Sequence, residues 1–453
     1  VAASAPRQGA AFAYITTLFF VWGAVTSVND ILIPTVKSIF TLTDTEAFLT
    51  QFAFFLAYGI VSLPAAAYVA RRGPAHAIVV ALGIMVIGCL IVPGATMLRA
   101  YPMVLLALFV IAGGITLLQV AANPLSAVLG PPEGAHFRLV LSQAFNSLGT
   151  VIGPYLAART LLSGGLFDGG DPTDAKIAAS LAKIDLAYLF IAAVIVALAL
   201  FIWTARRRLA AAAPRADVGS HIAEAFRSRW ALLGAAAIFV YVGAEVSIGS
   251  ALVNFLEQPT VFGITAEAAG KCVSVYWLCA MIGRFAGSAL LRAVRADRLL
   301  AICGTFAAVL CLSILSPAVA SLLSPLLRLI ATVLGPLVQW WSQEPIPGGH
   351  PGTVIGLTAI SIGLFNSIMF PVIFTLTIQR STASSAATSG LLCMAIAGGA
   401  FVPLLFAQVA DLTGSRFTAF VVPMLCYGAI AAFAIGAGRA RAVARDGRST
   451  SVH

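Results

Sequence analysis

The chain has very little charge. Only 10% of its 453 residues are Asp, Glu, Lys or Arg, against 60% hydrophobic, whereas a soluble domain carries roughly 25% charged residues. That shortage excludes a surface solvated by water all round. Histidine is scarce too: the five His are read as lying outside the apolar segments, which leaves no histidine proton relay and no HExxH metal site. The G-x-x-x-x-G-K-[ST] loop is missing, so the chain cannot drive itself with ATP. No Ser, His and Asp can be placed together at one depth. An enzyme is therefore not expected, nor a cofactor or a resident metal. Seven cysteines lack C-x-x-C spacing, and their odd number rules out a fully paired disulfide framework. They are read as small buried fillers. No cleavable leader is evident, because Val1 to Gly9 is a short polar tail running into a full-length apolar segment.

What the chain does have is apolar windows of about 20 residues along its whole length, each long enough to cross a bilayer. Twelve are expected: 11–33, 47–70, 76–97, 101–128, 139–162, 185–205, 230–256, 267–291, 298–316, 351–376, 385–409 and 417–437. The expected fold class is an all-α polytopic membrane protein. Thr43-Asp-Thr-Glu46 forms a capping box before the second span. The net charge of +10 does not point to nucleic acid, since Lys and Arg fall in short clusters between spans. Arg71/Arg72, Arg138, Arg206 to Arg208, Arg292 to Arg298, Arg380 and Arg439 all fall on one side of this plan. Most acids fall on the other. By the positive-inside rule, both termini and the central loop face the cytoplasm.

Residues 317–350 test the count, since "LLSPLLRLIATVLGPLVQWW" resembles a further span. Its two prolines, Arg328 and the Trp340–Trp341 pair fit better with an amphipathic segment on the outer surface. Weak internal symmetry supports two halves. "GAVTSV" (23–28) in the first span matches "GAEVSI" (243–248) in the seventh. Gln119 precedes Pro124 by the same spacing as Asn366 precedes Pro371. Gly149 before Pro154 repeats as Gly398 before Pro403. The expected organisation is a six-helix half over 1–205, a basic cytoplasmic linker over 206–229, a second half over 230–437 with an extracytoplasmic insertion at 317–350, and a cytoplasmic tail from 438.

Of seventeen acids, only Asp30 and Glu245 are read as sitting inside spans. From Gln8 to Val36, Asp30 is the one charged residue. An ionised Asp at a helix centre costs roughly 2.5–3.5 kcal/mol, so such an acid ordinarily marks a pathway or a coupling site. Proton exchange is the chemical use expected of Asp30. Whether it is deep or interfacial depends on whether the helix continues past Pro34. Glu245, one turn from Tyr241 and Gly249, is read as binding a substrate hydroxyl, carrying the proton, or bonding a neighbouring helix.

Small polar side chains supply the remaining chemistry. Gln143, Asn146, Ser147 and Thr150 recur at i, i+3, i+4, i+7 in the fifth span, and Thr116, Gln119 and Asn123 share a face of the fourth. Amides and hydroxyls both donate and accept, which suits a polyhydroxyl ligand; interhelical hydrogen bonds are the plainer use. A charge-selective site would want Lys or Arg well inside a span, and none is read there. A neutral, hydroxyl-rich substrate is expected, with Asn29, Gln119, Asn123, Gln143, Asn146, Glu245 and Asn366 as its candidate ligands. Rival readings are a sugar transporter with other or no ion coupling, an exporter of non-sugar compounds and a non-transporting sugar receptor.

"NDILIP" (29–34), "QVAANP" (119–124), "HFRL" (136–139), "QAFNSLG" (143–149), "YVGAEVSIGS" (241–250) and "GLFNSIMFP" (363–371) resemble the signatures of the fucose–galactose–glucose:proton symporters of the major facilitator superfamily. The last two are more similar to the glucose/galactose branch. The resemblance implies twelve helices in two halves, sugar and protons as the transported partners, and a bacterial inner membrane. A monomer in the lipid bilayer is expected, with no nucleic-acid partner. In fucose-transporting members an Asp of the first span and a Glu of the fourth are tied to sugar binding and proton coupling. Asp30 matches that Asp, Gln119 stands at the Glu position, and Glu245 stands where those members have a glutamine. The resemblance thus implies Asp30 as the leading proton site and Glu245 as a possible partner.

Overall fold

The structure is a computed structural model that describes residues 5–39, 44–160, 174–212, 222–346 and 351–441. Side chains at 5–8, 26, 28–51, 153–160, 174–177, 180, 212, 266 and 267 are not among those described. The first half comprises α1 (Ala5–Ile39), α2 (Asp44–Arg72), α3 (Pro74–Met97), α4 (Tyr101–Val128), α5 (Ala135–Thr160) and α6 (Asp174–Ala212). The short α7 (Ala223–Arg227) precedes α8 (Arg229–Leu256), α9 (Ala266–Leu290) and α10 (Ala296–Leu315). Two helices, α11 (Pro317–Leu322) and α12 (Ser324–Ser342), fill the insertion. The chain ends with α13 (Pro351–Asn366), α14 (Met369–Arg380), α15 (Ser385–Met394), α16 (Gly398–Thr413), α17 (Arg416–Ala419) and α18 (Val421–Arg439).

Ten described segments are long and apolar enough to cross a membrane, and Gly9–Val25 of α1 forms a shorter apolar stretch. With α5 these account for the twelve expected spans. The first helix does continue past Pro34, so Asp30 lies within it, more than two turns before Ile39. The side chains of Asn29 and Asp30, and the Thr43–Glu46 capping box, lie outside the described residues. The insertion is not among the membrane-crossing segments. Helix α12 packs on α9 and α13, with Leu327 and Val338 buried and Leu329, Val333 and Trp340 exposed. His76 and His136 belong to the first turns of α3 and α5 rather than to the loops before them.

The symmetric glycines mark matching helix crossings. A methyl group on Gly149 of α5 would overlap the Phe20 carbonyl of α1, and one on Gly398 would overlap the Phe239 carbonyl of α8. Gly23 is likewise closed by the Asn146 carbonyl, and Gly243 by Val402 and the Gly398 carbonyl. In a bilayer, where burial of apolar surface does not drive association, such close backbone approach is what holds helices together. The basic helix ends also gather. Arg380 Nε donates to Ala437 O at 2.8 Å, Arg295 Nη2 donates to Gly438 O at 3.3 Å, and the Arg292 guanidinium lies 4.3 Å from the Phe137 ring centre.

The two halves meet mainly where α2 and α4 touch α15 and where α5 touches α9 and α14. His136 Nδ1 and Thr375 Oγ1 are 2.5 Å apart across this seam. Ser389 Oγ donates to Val120 O at 3.0 Å. That carbonyl is free because Pro124, four residues on, has no N–H to give it. The described contacts between the halves are thus concentrated on the basic side of the bundle.

Candidate functional site

A second proline builds the core of the site. Pro371 cannot donate to Ser367 O, and the helix breaks between α13 and α14 at that point. Arg284 of α9 fills the vacancy, its Nε donating to Ser367 O at 3.0 Å. The same guanidinium places Nη2 3.7 Å from Glu245 Oε1 of α8 and donates through Nη1 to Ser147 Oγ of α5. Three groups, from α8, α5 and the α13–α14 break, one of them in the other half, therefore converge on one cation. Tyr241 Oη donates to the same Glu245 Oε1 at 2.7 Å, and Tyr276 Oη donates to the Glu245 carbonyl at 3.4 Å.

Arg284 overturns the expectation that no Lys or Arg lies well inside a span. It sits within the Ala268–Leu290 segment, six residues from the end of α9. Its side chain is 13% exposed and that of Glu245 12%. A cation that would be costly alone in the bilayer is held there by its anion. The signal was present in the sequence, since Glu245 and Arg284 belong to adjacent spans and each supplies what the other needs. Asp185 also lies inside a crossing segment, Leu181–Ala211, where Thr96 Oγ1 donates to it at 2.6 Å near the end of α3.

The candidate amide side chains fall into four places. Gln119 Nε2 donates to Tyr58 Oη of α2 at 2.7 Å, and Asn366 Nδ2 donates to Tyr276 Oη of α9 at 2.6 Å. Second and eighth spans are counterparts in a duplicated bundle, so the repeat carries an amide–tyrosine bond in each half. Asn366 Nδ2 also reaches Tyr427 Oη at 3.4 Å. Gln143 Nε2 donates to Asn123 Oδ1 at 3.3 Å, joining α5 to α4. Asn146 Nδ2 donates to Phe19 O at 3.0 Å, within the α1–α5 crossing. Asn123 Nδ2 and Asn366 Oδ1 are buried without a partner. Tyr58, Tyr276, Tyr427 and Arg284 had no place in the sequence reading, although Tyr58 and Tyr276 occupy paired spans.

A Major Facilitator Superfamily profile matches residues 10–369. The chain belongs to that superfamily. It is 40% identical to the glucose/galactose transporter of Brucella abortus (strain 2308) over 95% of both chains. It is 30% identical to the L-fucose-proton symporter of Escherichia coli (strain K12), covering 93% of this chain and 92% of the relative. A crystal structure of the E. coli fucose:proton symporter superposes with a TM-score of 0.77 at 26% identity, covering 95% and 98% of the two chains. This major facilitator is a multi-pass membrane transporter and not an enzyme.

Proposed function

We propose that the chain imports a neutral monosaccharide, a hexose of the glucose/galactose type, together with a proton. The single observation that carries this reading is the neutralised centre: Glu245 and Arg284 cancel in charge while linking α8 and α9 to Ser147 of the opposite half. A site with no net charge and many amides and hydroxyls favours a polyhydroxyl substrate over an ion. The relatives named glucose/galactose transporter and L-fucose-proton symporter support the same substrate class and the same coupling. Buried Asn123 Nδ2 and Asn366 Oδ1 offer a donor and an acceptor that a sugar would satisfy once the halves part.

In this scheme the halves rock about the site. The basic side, closed by His136–Thr375 and Ser389–Val120 O, faces the cytoplasm of a bacterial inner membrane with both termini. Asp30 carries the proton, and Glu245, already engaged by Arg284 and Tyr241, is its partner in the second half. Residues 206–229 act as the linker, 317–350 lie on the outer face, and the transporter works as a monomer. One proton crossing about 100 mV supplies roughly 2.3 kcal/mol, enough to sustain about a 50-fold sugar gradient. The test is uptake of a hexose panel by reconstituted vesicles with and without an imposed pH gradient. Accumulation of a hexose that rises with inward proton drive is expected; uptake indifferent to that gradient removes the coupling, and no uptake of any hexose removes the substrate.

A further inference from the structure

Helices α2 and α3 each pack closely on α4 but meet one another only sparsely. The space left between them is an apolar groove of about 390 Å³ with α4 as its floor. On α2 its wall is Val61, Pro64, Ala65 and Tyr68, which recur at i, i+3, i+4 and i+7 and so form one helix face. The next residues on that face are Arg71 and Arg72. On α3 the wall is Val80 and Ile84, and the preceding residue on that face is His76, whose Nδ1 stands 3.2 Å from Tyr68 Oη. From Val61 to Arg72 the helix rises about 16 Å, close to the half-thickness of a bilayer's hydrocarbon core.

Charge points the same way. Between Glu46 and Glu133 the sequence holds no Asp or Glu, so the helices that form the groove bring no acid to its mouth. Arg71 and Arg72 are exposed, and neither forms an ion pair among the described residues. We propose that the groove seats one acyl chain of an anionic glycerophospholipid whose phosphate is held by Arg71 and Arg72. The lipid belongs to the leaflet that meets the α2–α3 turn. Gly113 of α4 makes room for the chain, since its Cβ position has only Val61 nearby, at 3.6 Å. Nothing in this site overlaps the Glu245–Arg284 centre, and the binding stands or falls independently of the transport reading.

The experiment is native mass spectrometry of the full chain titrated with dioleoyl phosphatidylglycerol or dioleoyl phosphatidylcholine. One phosphatidylglycerol per chain is expected to be retained in preference to phosphatidylcholine. The double variant Arg71→Gln/Arg72→Gln is expected to bind it roughly 30-fold more weakly, from two cations near an anionic lipid. Gly113→Leu fills the groove and is expected to abolish retention with both arginines intact, while Gly113→Ala keeps it. Ile84→Phe, from the opposite wall, gives the same readout where the leucine prevents folding. Unchanged retention in the groove-filled variants overturns the proposal, as does equal retention of the two lipids or indifference to the arginine pair.

Discussion

Arg284 Nη2 stands 3.7 Å from Glu245 Oε1 in the interior of a membrane-crossing bundle, and the same guanidinium also reaches Ser147 in the other half. The pair explains how each charge persists among apolar helices. It also ties the state of the second-half site to the α5–α9 seam, because a hydroxyl from the first half shares the cation.

Breaking the pair from one side strands a charge that is nearly buried. Glu245→Gln or Arg284→Gln is expected to destabilise the protein by about 3 kcal/mol. The double variant Glu245→Gln/Arg284→Gln is expected to lose clearly less than the sum of the two. Thermal unfolding of the four proteins in detergent measures this, and strict additivity would separate the two residues.

Pro371→Ala returns an N–H to the carbonyl of Ser367. The helix can then close its own bond across the α13–α14 break, and Arg284 Nε has to share the two lone pairs of that carbonyl with the new donor. Stability is expected to rise by up to about 1 kcal/mol, with slower uptake. A variant that transports at the normal rate would show that the break plays no part in the cycle.

Asp30→Asn removes the carboxylate of α1 while keeping its size and hydrogen-bonding reach. Sugar-driven proton uptake is expected to vanish, with sugar counterflow still measurable in the same vesicles. Intact proton uptake would take Asp30 out of the coupling role.

Glu344 fastens the insertion to the start of α9. Its carboxylate accepts from Thr265 Oγ1 at 2.5 Å and from Thr265 N at 3.2 Å, and these bonds hold its carboxyl below the usual range, the hydroxyl first. Because the folded protein favours the ionised form, the contribution is complete above the ordinary carboxylate value of about 4.3. It is lost as pH falls through the lower folded value. Glu344→Gln is expected to melt below wild type at pH 7, with the difference closing on acidification to about pH 3. A difference that persists in acid would assign the effect to something other than this charge.

Much of the bundle was legible in the sequence because each span declares itself by a local property, an uninterrupted apolar run. Ten of the twelve windows match the helices within about four residues, α1 and α6 run well beyond theirs at both ends, and the thirteenth apolar stretch is the amphipathic α12. Breaks within the tenth and eleventh spans escaped that reading, although Pro371 marks the first of them. Arg284 is hidden in the sequence for a different reason. An apolar run tolerates one cation when a neighbouring helix supplies its anion, and a window average along one helix is blind to that neighbour.

Taken alone, the order of residues determined the all-helical membrane class, the count of spans, the gathering of most arginines at one end of the spans, and most of the polar residues available inside. It also held the paired landmarks Gly149/Gly398 and Pro124/Pro371. Only the tertiary structure decided what those residues do. Gly149 and Gly398 became helix crossings, Val120 O and Ser367 O became acceptors for Ser389 and Arg284, and Gln119 and Asn366 each found a tyrosine. The reason is that a helix satisfies its backbone within itself, so its existence follows from local sequence. Its rotation and its neighbours depend on contacts between residues far apart in the chain.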